Sequence, residues 1–430
     1  MKKLALIIIL LILVIAAGWA ASFTWKNFRG VGPALLEPPE DITKVINTTS
    51  LPAQTGMPAS PAGGPLKLPP RFSIEIFAKD LPGARVMRLD SFGNMWVSRT
   101  SKGAVSLLEI GKESGAVRHQ EDVFKNLRNP HGLAFDPDFP FALYIAEEHQ
   151  IRRIGTYSED PGQTILELPS GGGHFTRTLG FGPDKKLYIS VGSSCNVCRE
   201  ANPWRATILR HDLQEGKTEV FAKGLRNAVF FAWHPVTKKL WATEMGRDLL
   251  GDNLPPDEIN IVEDPSTNSE QAGNFGWPTC YGKNIHDTAF DKKTYIRNPC
   301  MEPFEKDSYI NIPAHSAPLG LAFFPQEARL PDGQGWPKEF HDDLLVAYHG
   351  SWNRDEPTGY KIVRIRLDSQ GNYESTDSAG SPQVEDFITG WLTPEGALGR
   401  PVDILIQTNR VIYISDDKAG VIYKMTYAAE

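Results

Sequence analysis

The residues best suited to chemistry lie in a glycine-rich segment, Gly171-Gly172-Gly173-His174-Phe175-Thr176-Arg177. Three glycines let a backbone approach a ligand closely and set where the next side chain points. A histidine in that setting can act as a base near neutral pH. By itself the segment reads equally as a surface loop with an incidental histidine. A second segment, Gly224-Leu225-Arg226-Asn227, pairs an arginine with an amide. A third, from Thr243 to Asn260, gathers Glu244, Gly246, Arg247, Asp248, Asp252, Asn253, Asp257 and Glu258. So many oxygen donors suit Ca2+, a hard ion, although the spacing is not that of an EF-hand and a solvated acidic loop has the same composition.

Two further segments, His349-Gly350-Ser351-Trp352-Asn353-Arg354 and Gly399-Arg400-Pro401-Val402-Asp403, each set an arginine beside a strand. Arg177, Arg226, Arg247, Arg354 and Arg400 together would suit a polyanionic ligand. Singly, each is an ordinary structural arginine. They stand out because the chain is acidic, with 45 basic against 52 acidic residues and a formal charge of −7, a balance that argues against a nucleic-acid-binding surface.

The elements that must carry these loops show a cadence. Asn94-Met95-Trp96-Val97-Ser98, Leu143-Tyr144-Ile145-Ala146, Leu187-Tyr188-Ile189-Ser190, Leu240-Trp241-Ala242-Thr243, Leu344-Leu345-Val346-Ala347 and Val411-Ile412-Tyr413-Ile414-Ser415 are short apolar strands, most of them preceded by a turn rich in Pro, Asp or Gly. Trp96, Tyr144, Tyr188 and Trp241 follow one another at 48, 44 and 53 residues. That period matches a propeller blade of four strands, and six occurrences predict an all-β, six-bladed β-propeller. The doubled interval from Trp241 to Leu345 predicts a large insertion between blades.

Ahead of the repeat, Met1-Lys2-Lys3 precedes an uncharged apolar run from Leu4 to Ala21. A basic start followed by such a run predicts export, with residues 1–22 acting as a signal anchor or a cleaved signal peptide. Nine prolines between residues 30 and 70 predict a tether over 23–70, held away from the domain or wrapped on it, and leave 71–430 as the propeller. In an exported chain the four cysteines read as two local disulfides, Cys195–Cys198 and Cys280–Cys300, the second pinning the insertion. A thioredoxin-like setting is missing, and Arg199 after Cys198 excludes a c-type haem signature.

With these motifs assembled, the chain resembles the soluble pyrroloquinoline quinone-dependent sugar dehydrogenases. The resemblance rests on residues 171–198, on Gly224–Pro235, and on Asp257-Glu258-Ile259-Asn260 with Asn274-Phe275-Gly276-Trp277-Pro278. The segments 349–354 and 399–403 are most similar to the sorbosone dehydrogenase branch. The resemblance implies a periplasmic or otherwise extracytoplasmic quinoprotein that oxidises a sugar, polyol or sugar-derived aldehyde and passes electrons to an external acceptor. It makes His174 the catalytic base, with Arg226 and Asn227 beside the quinone and Arg177, Arg354 and Arg400 as further cofactor contacts. Gly246 and Arg247 would offer backbone oxygens to Ca2+.

Two departures bear on that reading. Ser193 stands where glucose-oxidising members have an aspartate that orients the base, and Ser351-Trp352-Asn353-Arg354 replaces their lysine-bearing segment. Glucose is thereby a poor substrate expectation. A Ca2+-dependent lactonase and a non-catalytic exported binding propeller are the rival classes.

Overall fold

Each of the six apolar runs becomes the second strand of its own four-stranded antiparallel sheet: Met95–Arg99, Ala142–Glu147, Leu187–Val191, Leu240–Glu244, Leu344–Tyr348 and Val411–Asp416. This computed structural model describes residues 2–36, 41–47, 65–157, 162–264, 273–303, 305–325, 335–373 and 383–428. The sheets are the blades of a six-bladed β-propeller. Five follow in chain order, with strands between residues 84–124, 133–167, 179–223, 231–312 and 318–388. The sixth is composite: Phe72–Ala78 supplies its outer strand and pairs antiparallel with Val421–Tyr427, Phe72 opposite Tyr427 and Ile74 opposite Met425. That pairing joins the two ends of the domain and closes the ring, so no blade face is left unpaired.

The conserved register of the repeat has a packing reason. Second strands are buried on both faces, which is why they read as continuous apolar runs, whereas the outer strand Val117–Phe124 has no fully buried residue. The aromatic residue of each of four second strands meets an aromatic on the first strand of the next blade. Trp96 packs on Phe135, Tyr144 on Phe181, Tyr188 on Trp233 and Trp241 on Phe323, edge to face, with centroids 6.4, 5.3, 5.2 and 5.5 Å apart. The recurrent turn aspartate serves the same residues. Asp90, Asp136 and Asp184 accept hydrogen bonds from Trp96 Nε1, Tyr144 Oη and Tyr188 Oη at 3.1, 3.2 and 3.1 Å. Their other carboxylate oxygens accept the turn's own N–H groups, as at Phe92 and Asn94.

Two expectations need correction. The large insertion lies inside the fourth blade, between its third strand Asp257–Val262 and its outer strand Ile310–Ile312, and not between blades. It climbs beside the third blade, where Gly273 and Asn274 pair parallel with Ala222 and Lys223, and delivers residues 275–303 to the end of the propeller that carries the Gly171–Arg177 loop. There Cys280 and Cys300 are disulfide-bonded, as are Cys195 and Cys198.

The described part of the expected tether does not hold the domain away. The helix Ile42–Asn47 buries Ile42 and Ile46 among the core residues of the fifth and sixth blades, beside Phe72 and Trp336. Upstream, a single apolar helix spans Lys2–Phe28, long and apolar enough to cross a membrane and exposed along its length. The prolines of 37–40 and 48–64 lie outside the described residues.

Replacing Cys280 and Cys300 together by serine is expected to lower stability by about 3 kcal/mol on the loop-entropy scale, read as a fall in the denaturation midpoint. Hydrogen exchange should quicken over 275–303 while the second strands stay protected. An unchanged midpoint with unchanged exchange in the insertion would remove its pinning role.

Candidate functional site

Loops from every blade converge at one end of the ring around a cavity of about 550 Å³. His174, Asn227 and Met245 line one side, and Arg85, His349 and Asp417 line the other. His174 is held from all directions. Gly171 and Gly172 adopt φ of 81° and 89°, the left-handed region that favours glycine. A Cβ at Gly172 would lie 2.5 Å from the Ser194 carbonyl. Glu148 accepts the Gly171 N–H at 2.6 Å and Arg205 donates to the Gly171 oxygen at 2.5 Å. The Gly173 N–H reaches the Ser194 oxygen at 2.9 Å. Gly192, directly after the third repeat strand, leaves the room that both His174 and Asn227 occupy: a Cβ there would stand 2.7 Å from each.

The imidazole's tautomer follows from its partners. His174 Nδ1 lies 2.8 Å from Ser193 Oγ and 3.0 Å from the Ser193 carbonyl. Ser193 Oγ donates its only proton to the Cys195 oxygen at 2.7 Å, so toward His174 it accepts. Nδ1 therefore carries the proton and Nε2 is left as the acceptor. Burial, reinforced by the positive charges of Arg226, Arg177 and Arg205, pulls the His174 pKa down to about 3, so the ring is neutral at physiological pH. Serine thus takes over the orienting contact that an aspartate makes in the family pattern.

Arg226 is buried behind the cavity wall and makes five contacts. It donates to Asn196 O and Oδ1 at 2.9 Å each, to Gly246 O at 2.8 Å and to Met245 O at 3.2 Å, and pairs with Asp248 at 3.0 Å. The acidic stretch around it is neither solvated nor spare. Glu244 accepts the Asn227 N–H, Asp257 accepts those of Gly246 and Ala317, and Glu258 accepts that of Gly282. Burial pushes all three carboxyls up, Asp257 to about 7. These groups act as clamps on backbone.

Three of the arginines expected to contact a cofactor do something else. Arg177 is fully buried and donates to the carbonyls of His174, Thr176 and Pro169. Arg354 donates to Asp252 O, Ala314 O and Asn253 Oδ1. Arg400 donates to His349 O and Gly350 O and lies over the Tyr360 ring. None of the three lines the cavity, because each was drawn inward by loop carbonyls with no other donor. Arg247 points away too, to Asp287 of the insertion at 2.8 Å.

The cationic group that does face the cavity is Arg85, which sequence reasoning passed over. It pairs with Asp417 at 2.5 Å, and its buried Nε has no hydrogen-bond partner. Asp417 also accepts from His349 Nε2 at 2.8 Å, and this pairing with Arg85 and His349 holds its pKa well below the carboxylate range. The sequence signal for Arg85 was slight: an arginine just after a Pro-Gly turn at the entry to a blade.

A family model described as TrAA12-like matches residues 66–428. An uncharacterized protein of Borreliella burgdorferi is 29% identical over 402 residues, covering 89% of this chain and 97% of that protein. The pyrroloquinoline quinone-dependent pyranose dehydrogenase of Coprinopsis cinerea is 24% identical, over 79% of this chain and 51% of its own length, so this chain spans about half of that relative. Among solved structures, the holo form of the pyranose dehydrogenase PQQ domain from Coprinopsis cinerea has a TM-score of 0.67 at 20% identity, over 84% of this chain and 97% of that one. A calcium structure of the Trichoderma reesei AA12 carbohydrate-active enzyme scores 0.69 at 20% identity, over 88% and 100%. At these identities the structural likeness is one of fold.

With its pKa near 3, the His174 imidazole is expected not to titrate between pH 5 and 8, as read by NMR of the ring nitrogens with His174→Gln as the assignment control. The unfolded chain takes up this proton near pH 6.5, so the group's contribution to stability is complete above that pH and lost as pH falls toward 3. A ring titrating near 6.5 in the folded protein would contradict the buried, neutral assignment.

Proposed function

The chain belongs to the TrAA12-like family, and from that premise we propose that it is an exported oxidoreductase that oxidises a sugar, polyol or sugar-derived aldehyde with pyrroloquinoline quinone as cofactor. The carrying observation is His174: a neutral imidazole with its unprotonated Nε2 on the wall of a deep cavity, positioned on four sides and oriented by Ser193. The cavity residues fit a planar polyanionic cofactor. The space is of the size that holds small ligands. Arg85 brings a cation with a buried N–H still to be satisfied, and Asn227 lines the opposite side.

When bound, the quinone supplies an electrophilic carbonyl that accepts a hydride. The chain's own residues do the rest. His174 Nε2 takes the hydroxyl proton of the substrate while Nδ1–H stays on Ser193. Arg177 and Arg205 keep the ring in place through the loop carbonyls, and low dielectric keeps it unprotonated and ready. Arg226 places positive charge behind Asn227 without leaving the protein's own oxygens.

The residues do not fit a calcium ion at Gly246 and Arg247. Arg226 already donates to the Gly246 oxygen, and a divalent cation there would stand against a buried guanidinium. The likeness of segments 349–354 and 399–403 to the sorbosone dehydrogenase branch favours an aldehyde-bearing sugar derivative over glucose. Export is supported by Lys2 and Lys3 ahead of the apolar helix.

The test is reconstitution of the purified protein with pyrroloquinoline quinone, following bleaching of a redox dye with a panel of sugars and aldoses. His174→Ala is expected to lower turnover by roughly 10²–10⁴-fold with little change in cofactor affinity. Failure of the protein to bind the quinone overturns the redox reading, and a fully active His174→Ala removes that residue from the chemistry.

A further inference from the structure

The N-terminal helix and the cavity share one end of the propeller. After Phe28 the chain does not extend away on a spacer. Phe28 packs on Trp352 with ring centroids 5.7 Å apart, and Gly30 lies so close to the backbone of Arg354 that a Cβ would fall 1.2 Å from its oxygen. Lys418 donates to the Leu36 oxygen at 2.6 Å. Trp352 and Arg354 belong to the loop that begins with the cavity residue His349, and Lys418 follows the cavity residue Asp417. A membrane crossed by Lys2–Phe28 thus has its surface within a few residues of the cavity loops.

An independent feature occupies the same end. The delivered segment 275–303 ends in a tip, Lys292-Lys293-Thr294-Tyr295-Ile296-Arg297, in which every residue is exposed and Ile296 entirely so. The Cys280–Cys300 disulfide closes its base, and Arg247 holds it to the cavity loops through Asp287. Three basic residues around an exposed Tyr-Ile pair are at odds with a chain of net charge −7. Basic groups beside projecting apolar and aromatic side chains match the headgroup layer of an anionic bilayer, where phosphates meet the cations and acyl chains receive the apolar tip. Leu254, Ile285 and Met301 on neighbouring loops are exposed large apolar residues as well.

We propose that the cavity-bearing end of the propeller is a membrane-docking face, seated on an anionic bilayer by two contacts: the helix Lys2–Phe28 at one edge and the basic-apolar tip 292–297 of the insertion at another. The cavity then opens toward the headgroup layer, and whatever exchanges with it arrives along the membrane surface. This docking stands on its own, whether or not the redox reading holds.

All four cysteines are in disulfides, so one introduced cysteine takes an environment-sensitive fluorophore selectively. The full chain, inserted in vesicles of phosphatidylcholine and phosphatidylglycerol containing doxyl-labelled lipid, carries the probe at Ile296→Cys, at Glu356→Cys on the cavity end, or at Ser91→Cys in a turn at the opposite end. Expected is severalfold stronger quenching at 296 and 356 than at 91, with a blue-shifted emission at 296. Lys292→Glu, Lys293→Glu and Arg297→Glu should release the tip, the ratio of inserted to free tip falling by roughly fivefold for each basic residue lost, and vesicles of phosphatidylcholine alone should do the same. A probe at 296 quenched no more than at 91 overturns the docking, and equal quenching before and after charge reversal overturns its electrostatic basis.

Discussion

Everything at the cavity depends on closing a ring. Six sheets can point their loops at one axis only if the last blade meets the first, and that junction is a strand pair between Phe72–Ala78 and Val421–Tyr427, segments more than three hundred residues apart. The blade-to-blade aromatic contacts then set the spacing. Trp96, Tyr144, Tyr188 and Trp241 each fill the gap to the next blade with one edge-to-face contact, and a turn aspartate satisfies the polar end of the first three. Polar tips are thus buried without an orphan, and the apolar rings carry the packing.

On that scaffold the charged groups near the cavity act chiefly on backbone. Glu148, Arg177 and Arg205 hold the loop of His174. Glu244, Asp257 and Glu258 hold the N–H groups of Asn227, Gly246 and Gly282, and Arg400 and Arg354 hold carbonyls of neighbouring loops. Long loops without regular pairing leave donors and acceptors that must be met once they are covered. Meeting them with ions fixes the geometry tightly, and it also creates the field that keeps His174 neutral.

Ser193 shows how a departure from a family pattern can be absorbed. Its hydroxyl has one proton, already given to Cys195, so its lone pair receives the Nδ1–H of His174. The orienting contact survives, although the negative charge of an aspartate does not. A neutral partner leaves the imidazole easier to keep unprotonated when buried among arginines.

The six-bladed ring was legible in the chain because each blade repeats one local problem: a strand buried on both faces, a turn aspartate, an aromatic at fixed register. The cysteine pairing was legible for a similar reason, since both spans are short. His174 and Asn227 were legible because glycines flank them and mark close approach. What the tertiary structure alone decided is the direction of the long charged side chains. Arg177, Arg354 and Arg400 lie near the cavity in sequence terms, yet each turns to carbonyls supplied by other loops, while Arg85, beside an unremarkable turn, faces the cavity. An arginine's partner is chosen by whichever unpaired acceptor the fold brings within reach, and that depends on residues tens to hundreds of positions away. The same reason hid the position of the insertion: period counting located its length, but only strand pairing placed it within the fourth blade and carried its tip to the cavity end.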